Sequence, residues 1–433
     1  MTLKRFASRG AAVAAFSILA RVTILAIGFV NVLLAARLYG SVATGQIGLT
    51  SAMVNLGALL ALGGTEMMAL NRLSGQDDAR PAIFTASLIR IGLGGVMVSL
   101  LWAAAVVSGL AEPYHAGLGE VLYAGLPLLI ALGALRVFCL EVIRASQSIH
   151  LYNVVAVTAA MMPLVFLLAW PLLPGDLSFA WVVALSEAVN VTLIASVVWW
   201  HGFGLRIVRL SRADLRATLS ELRPFYVSSV SVAVYQLDIL LMGFFADPAV
   251  LGVYVLASRL ANVISLPKNA AGISFAPRVA QLFRNQGQEP AFAYTKRISL
   301  FYMPLSLVVF VLLWAGGGLV LGFINPAFVA GKPVLVLLCL AHLVLVLTGY
   351  SGQFLLLTGQ EKLQQGVFVA ASAVMILGIV VLVPVMGTEG GALAVLAGAL
   401  VRGGVSTYVV RRTFGDGVSV WAVASMLLAR RQA

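Results

Sequence analysis

Two charged residues interrupt an apolar stretch near the middle of this 433-residue chain. Residues 228–259 hold Asp238 and Arg259, which lie nine residues before and twelve residues after Asp247. If the stretch is a helical hairpin that turns at Asp247, both side chains lie roughly 13–18 Å below one membrane face. That depth is close to the centre of a hydrocarbon layer about 30 Å thick, where a charge costs at least about 2.5 kcal/mol. Charges at such a depth indicate either a structural ion pair or a ligand-binding site.

Other polar side chains share helical faces with these two charges. Tyr235 precedes Asp238 by three residues and Asn262 follows Arg259 by three, so each pair occupies one face of its helix. A purely structural Asp238–Arg259 pair would also explain the charges, and both interpretations stay open at this point. The residues that we expect to line a polar, partly positive cavity are Arg21, Asn31, Tyr235, Asp238, Arg259 and Asn262, with Glu187 as a further deep carboxylate.

The elements that must position these residues are membrane-spanning helices. The chain is 61% hydrophobic and 10% charged, with a mean hydropathy of +1.02, and a soluble protein of this length cannot bury so much apolar surface. Apolar runs of about 20 residues recur from end to end, which predicts an all-α polytopic membrane protein. We predict twelve spans, at residues 12–36, 44–65, 82–108, 119–142, 151–172, 177–200, 224–246, 249–270, 298–323, 333–357, 364–386 and 390–410.

The distribution of Lys and Arg predicts the orientation of these spans. The net charge is +12, yet only Arg37 and Lys332 fall in predicted external loops, and most of the other basic residues lie in cytoplasmic stretches. Because positive charge concentrates on the cytoplasmic side of membrane proteins, we expect both termini to be cytoplasmic. The basic balance therefore reflects membrane insertion and not nucleic-acid binding. Arg136, near a predicted cytoplasmic span end, is expected to extend toward that interface.

The two halves of the sequence resemble each other. Gly45 and Gly252 occupy equivalent places in similar hairpins 207 residues apart, and this alignment sets Asn31 opposite Asp238. Parallel repeats of this kind are typical of transporters with a site between the halves. We predict a six-helix bundle over 1–205, a cytoplasmic linker helix over 206–223, a second six-helix bundle over 224–412 and a cytoplasmic interfacial tail over 413–433.

The sequence carries no signature of an enzyme. The four His residues show no metal-ligand spacing, and the Walker A, GxSxG and HExxH patterns are missing from the sequence. The predicted external loops are too short for the active site of a polysaccharide polymerase or ligase. We therefore expect a transporter that needs neither a metal nor a cofactor.

The two hairpins resemble those of a known family. ARLYGSVATGQIGL (36–49) and YQLDILLMGFFADPAVLGVYVLASRL (235–260) are similar to the corresponding segments of Wzx-type bacterial polysaccharide flippases. These flippases belong to the multidrug/oligosaccharidyl-lipid/polysaccharide exporter superfamily. The resemblance implies alternating-access transport of undecaprenyl-diphosphate-linked oligosaccharides across the bacterial inner membrane, for O-antigen, capsule or exopolysaccharide assembly. It also implies contact with membrane lipids and partnership with a polysaccharide polymerase and its chain-length machinery.

The resemblance also suggests roles for the candidate residues. Arg21 and Arg259 are suited to a diphosphate, because a guanidinium binds phosphate oxygens through two parallel hydrogen bonds. Either Asp238 or Glu187 could couple transport to a proton gradient. Hydroxyl and amide groups for the sugars would come from Asn31, Tyr235 and Asn262.

The nearest alternative is a multidrug and toxin extrusion antiporter of the same superfamily. Cationic drugs favour a cavity dominated by carboxylates. The predicted spans hold two deep acids, Asp238 and Glu187, against two or three deep Arg residues. The balance of charge therefore favours an anionic substrate.

Overall fold

The computed structural model describes residues 2–73, 80–146, 148–173, 175, 177–203, 206–210 and 237–422. Within these ranges the chain is mostly helical and contains no β-strand. Nine of the helices found there are long and apolar enough to cross a membrane. Many of their large apolar side chains are exposed, including Val107, Trp200 and Phe301. Apolar exteriors of this extent need a lipid surrounding, so the protein is a multi-pass α-helical membrane protein.

Residues Met1–Gly252 form the first of two compact units, called unit 1 here. Its longest helix, α1, is bent at Gly40 (φ 79°) and therefore includes two of the predicted spans. Helix α1 packs against α5 and α6, and α5 packs against α7. The helices of unit 1 are α1 (Thr2–Leu62), α2 (Thr65–Leu73), α3 (Arg80–Val107), α4 (His115–Leu118), α5 (Glu120–Ala145), α6 (Ile149–Leu168), α7 (Ala180–His201) and α8 (Leu237–Phe245).

Residues Val253–Ala433 form unit 2. Helix α14 is bent at Gly387 (φ 58°) and, like α1, includes two predicted spans. It packs against both α12 and α13, which are separated by a break at residues 348–350, while α10 packs against α11. The remaining helices are α9 (Pro248–Asn262), which starts in unit 1 and continues into unit 2, α10 (Leu266–Gln286), α11 (Gln288–Ile324), α12 (Lys332–Leu347), α13 (Ser351–Leu357) and α14 (Glu361–Phe414).

The boundary between the two compact units is a separate feature from the predicted linker helix over 206–223, which stays a prediction. It falls at Gly252, because α8 packs against α1 and is thereby part of unit 1. Residues 206–210, at the start of the predicted linker helix, are not helical. The amide of Val208 donates a hydrogen bond of 3.1 Å to the Thr85 hydroxyl, and that hydroxyl donates to the Arg206 carbonyl at 3.4 Å. These bonds hold the segment against α3, while 211–223 lie outside the described residues.

The two repeat-related glycines, Gly45 and Gly252, lie where two helices cross within unit 1. A Cβ atom at Gly45 would lie 1.8 Å from the Pro248 carbonyl oxygen, and one at Gly252 would lie 1.9 Å from the Ser41 carbonyl oxygen. Both distances are far below van der Waals contact, and the obstructing atoms are backbone. The second half of α1 and the first turn of α9 therefore approach each other so closely that only glycine fits at either position.

Replacing either glycine by alanine is expected to push these two helices apart. We predict that Gly45→Ala and Gly252→Ala each destabilise the protein by at least about 1–3 kcal/mol, since an added methyl group has no space. Thermal unfolding of the purified protein in detergent measures this effect. Gly28→Ala is the matched control, because a Cβ there meets nothing within 4 Å. A midpoint that falls equally in all three variants would contradict the tight crossing.

Candidate functional site

A buried ion pair joins two helices inside unit 1. The Arg136 Nε of α5 donates to the Glu187 carboxylate of α7 at 2.6 Å, and its Nη2 donates to Asn55 Oδ1 at 3.4 Å. The side chains of Arg136 and Glu187 are only 19% and 11% exposed. Arg136 was expected to extend toward the cytoplasmic interface, and that prediction is wrong, since its guanidinium points inward to Glu187. Spacing along the sequence could not predict the rotation of α5 that brings Arg136 to Glu187.

Pro163, within α6, lies at the centre of a second polar group in unit 1. Pro163 has no N–H and so leaves the Ala159 carbonyl without its helical donor. Asn190 of α7 donates to this carbonyl at 3.1 Å, and Asn31 of α1 donates to the next one, Ala160, at 3.4 Å. The Oδ1 atoms of both asparagines are buried and have no hydrogen-bond partner among the described residues. They can accept hydrogen bonds from water or from a substrate hydroxyl.

A third group combines charges of both signs near one end of unit 1. Arg144 lies 3.3 Å from the Glu141 carboxylate and 5.7 Å from the centre of the Tyr152 ring. Arg21 and the buried Glu66 are close enough for their charges to act on Glu141. Of this group, only Arg21 was predicted as a site residue. In the sequence, the Gly63–Gly64 pair directly after α1 indicates a turn, and this turn could have drawn attention to Glu66 as a buried acid.

The predicted central residues differ in their exposure. Asp238 is half-buried in the first turn of α8. Arg259 and Asn262 are both exposed near the end of α9, three residues apart and on one helical face. Tyr235 lies outside the described residues.

A positively charged group in unit 2 includes Lys268, which was not predicted as a site residue. Lys268 of α10 donates from Nζ to the Leu345 carbonyl, near the end of α12, and lies 5.5 Å from the centre of the Tyr350 ring. Lysine is favourable there, because the unpaired carbonyls at a helix C-terminus carry partial negative charge. Arg402 of α14 is close enough for its positive charge to act on the Lys268 ammonium. No carboxylate of the residues seen in the structure forms an ion pair with Lys268.

Aromatic rings fix the shape of this group, which we name the cationic site and define as Lys268, Tyr350 and Arg402. Tyr350 donates its hydroxyl to the Lys268 carbonyl and stacks on Phe275, with ring centroids 3.9 Å apart. The Arg402 guanidinium lies 4.9 Å from the centre of the Phe368 ring. The site therefore holds two like charges in aromatic surroundings, which can bind an anionic group.

Comparison with solved structures identifies the fold. The chain has a TM-score of 0.70 and 15% identity to an inward-facing multidrug resistance MATE family transporter of the MOP superfamily, covering 93% of this chain and 95% of that one. It has the same TM-score and 13% identity to the lipid II flippase MurJ in an inward closed conformation, over 92% and 87% of the two chains. An outward-facing MATE transporter gives a TM-score of 0.58 at 15% identity, over 95% and 96%.

These similarities show that the chain has the fold of MOP-superfamily transporters. No family model matches the sequence. No curated protein matches it either. The structural neighbours named above are transporters and a flippase.

Removing one partner of the Arg136–Glu187 ion pair tests how well that pair is shielded from water. We predict that Glu187→Ala destabilises the protein by about 3–5 kcal/mol, because Arg136 would remain as an uncompensated buried charge. The double variant Arg136→Met/Glu187→Met should recover most of the loss. Thermal unfolding in detergent measures both changes.

The Arg144–Glu141 pair provides the control for this prediction. The Arg144 side chain is 39% exposed, so Arg144→Gln should cost no more than about 1 kcal/mol. Equal losses in Glu187→Ala and Arg144→Gln would show that the Arg136–Glu187 pair is screened by water.

Proposed function

We propose that the protein is a flippase that carries anionic lipid-linked oligosaccharides, of the undecaprenyl diphosphate type, across the bacterial inner membrane by alternating access. The observation that carries this proposal is the cationic site, where Lys268 contacts Leu345 and Tyr350 on the two sides of the α12–α13 break and α14 meets the same break beside Arg402, since a Cβ at Gly403 would lie 2.7 Å from Thr348 Oγ1. No carboxylate of the described residues pairs with Lys268. Two like charges close together repel each other, and such a pair is stabilised when the site receives an opposite charge. A diphosphate supplies that charge.

The charge distribution in unit 1 agrees with an anionic substrate. Glu187 is engaged by Arg136, and Glu141 by Arg144, so neither carboxylate is presented alone to a cationic drug. Asn31 and Asn190 add carbonyl-type oxygens suited to sugar hydroxyls. Arg21, Arg259, Asn262 and Tyr235 stay as proposed contacts to the diphosphate and the sugars.

A multidrug and toxin extrusion antiporter is the second candidate. The fold supports it equally, since the TM-scores to the MATE transporter and to MurJ are both 0.70. Such an antiporter would have to admit organic cations beside Lys268 and Arg402, against their repulsion. If the protein is a flippase, a polysaccharide polymerase and its chain-length machinery would act after it and use the translocated oligosaccharide.

Neutralising the cationic site tests the substrate class. In a bacterial strain whose surface polysaccharide depends on this protein, we predict that Lys268→Gln and Arg402→Gln each lower surface polymer at least about tenfold, the effect of losing one charge-assisted contact of about 1.4 kcal/mol or more. Lys268→Arg should retain part of it. Immunoblots and membrane fractions would show that the variants accumulate.

Lys362→Gln, an exposed residue at the start of α14, is the control for a general effect of lost charge and should leave polymer unchanged. Efflux of ethidium, measured in the same strains, tests the antiporter. Normal polymer in both neutralised variants, together with ethidium efflux by the wild type, would overturn the flippase proposal in favour of the antiporter.

We also propose that Asp238 carries the coupling proton, while Glu187 is held by Arg136 in a structural role. We predict that Asp238→Asn lowers transport and makes the remaining transport insensitive to an uncoupler, because an amide cannot exchange the proton. Asp247→Asn, at an exposed position before α9, should respond to the uncoupler like the wild type. An unchanged uncoupler response in Asp238→Asn would remove Asp238 from coupling.

A further inference from the structure

The chain turns back on unit 2 directly after α14. Gly415 (φ 74°) ends the helix, and its amide donates to the Arg411 carbonyl at 3.0 Å. Residues 415–419, which we name the C-terminal strap, then run without helical structure. Val418 and Ser419 are buried within unit 2. The start of the tail is thus packed into the protein. The interfacial tail over 413–433 stays a prediction, because residues 423–433 lie outside the described ones.

A short ion pair fixes the strap to α11. Both carboxylate oxygens of Asp416 accept from the Lys296 Nζ, at 2.7 and 2.6 Å. The same carboxylate accepts from the Gly417 amide at 2.7 Å, which orients it within the strap. Lys296 is mostly buried and Asp416 is partly exposed. The two residues are 120 positions apart in the sequence, so the pair ties together distant parts of unit 2.

The strap occupies the break between α12 and α13. A Cβ atom at Gly349 would lie 2.3 Å from the Val418 carbonyl oxygen, and Gly349 has a positive φ of 70°. Both facts require glycine at this position. Phe414, just before the strap, packs edge-on against Phe354 of α13 with ring centroids 5.6 Å apart. The strap therefore contacts the break at Gly349, and the end of α14 contacts α13 at Phe354.

The same break positions the cationic site. Leu345, whose carbonyl accepts from Lys268, lies four residues before Gly349, and Tyr350, which donates to the Lys268 carbonyl, lies one residue after it. A change in the backbone at Gly349 would therefore move both partners of Lys268. This arrangement connects the strap to the site through one backbone position.

We propose that the C-terminal strap locks the α12–α13 break and thereby holds Tyr350 and the Leu345 carbonyl in place around Lys268. Release of the Asp416–Lys296 pair frees the break and loosens the cationic site. The strap is a conformational device that lets the cytoplasmic end of the chain control the geometry of that site. Its effect on transport rests on the proposed function, but the locking itself does not.

Hydrogen exchange measured by mass spectrometry on the purified full chain tests the lock without any substrate. Asp416→Asn and Lys296→Met are each expected to speed exchange of the amides at 347–351 by about fivefold, the upper range for a partly exposed ion pair. Exchange in α3 and α5 should stay unchanged. Glu389→Gln, an exposed acid of α14 far along the sequence from the strap, is the matched control and should leave 347–351 as in the wild type.

A second variant changes the α12–α13 break and leaves the strap residues as they are. Gly349→Ala should displace Val418 and speed exchange at 418–419 while Asp416 and Lys296 are both present. If Gly349→Ala does not accumulate, Asp416→Asn and Lys296→Met decide the question. Unchanged exchange at 347–351 in both, or an equal rise throughout the chain, would overturn the lock and leave the pair as a general stabilising contact. Because no transport is measured, a failed flippase proposal gives a different result from a failed lock.

Discussion

The interior of this protein depends on one constraint, which is that a polar group in hydrocarbon must find its partner within the chain. The constraint is visible wherever a helix is interrupted. Pro163 frees the Ala159 carbonyl, and Asn190 donates to it. The break at Gly349 leaves the Leu345 carbonyl at the end of α12, and Lys268 donates to it. In both places a side chain from a neighbouring helix replaces the missing backbone donor, so the irregular positions become the polar positions at which a substrate can be bound.

The sequence predicted those features that follow from hydropathy, charge and repetition. It predicted an all-α membrane protein, and it matched Gly45 with Gly252, which the structure places in reciprocal backbone contact. It could not predict which way Arg136 points, because the rotation of α5 depends on packing against α7 and not on spacing within α5. Lys268 was missed for a related reason. It lies near a predicted span end, where lysine usually reflects topology, and only the break at Gly349 gives it a carbonyl partner.

The two units use charge differently, and this difference carries the functional argument. In unit 1 the acids Glu187 and Glu141 each contact an arginine at hydrogen-bond distance. In unit 2 the ion pair Lys296–Asp416 joins the strap to α11, while Lys268 and Arg402 belong to the cationic site. The fold is shared by MATE transporters and by the lipid II flippase MurJ, and so the fold alone does not separate drug export from lipid transport. The sign of the charge in the cationic site is what favours an anionic lipid.

Binding of undecaprenyl diphosphate, measured by native mass spectrometry of the purified protein against the uncharged alcohol undecaprenol, tests this account most directly. Undecaprenyl diphosphate is expected to bind the wild type more tightly than undecaprenol does. Lys268→Gln should remove this preference for the charged lipid, and Lys362→Gln should keep it. Equal retention of the charged and uncharged lipids by the wild type would contradict an anionic substrate at the cationic site.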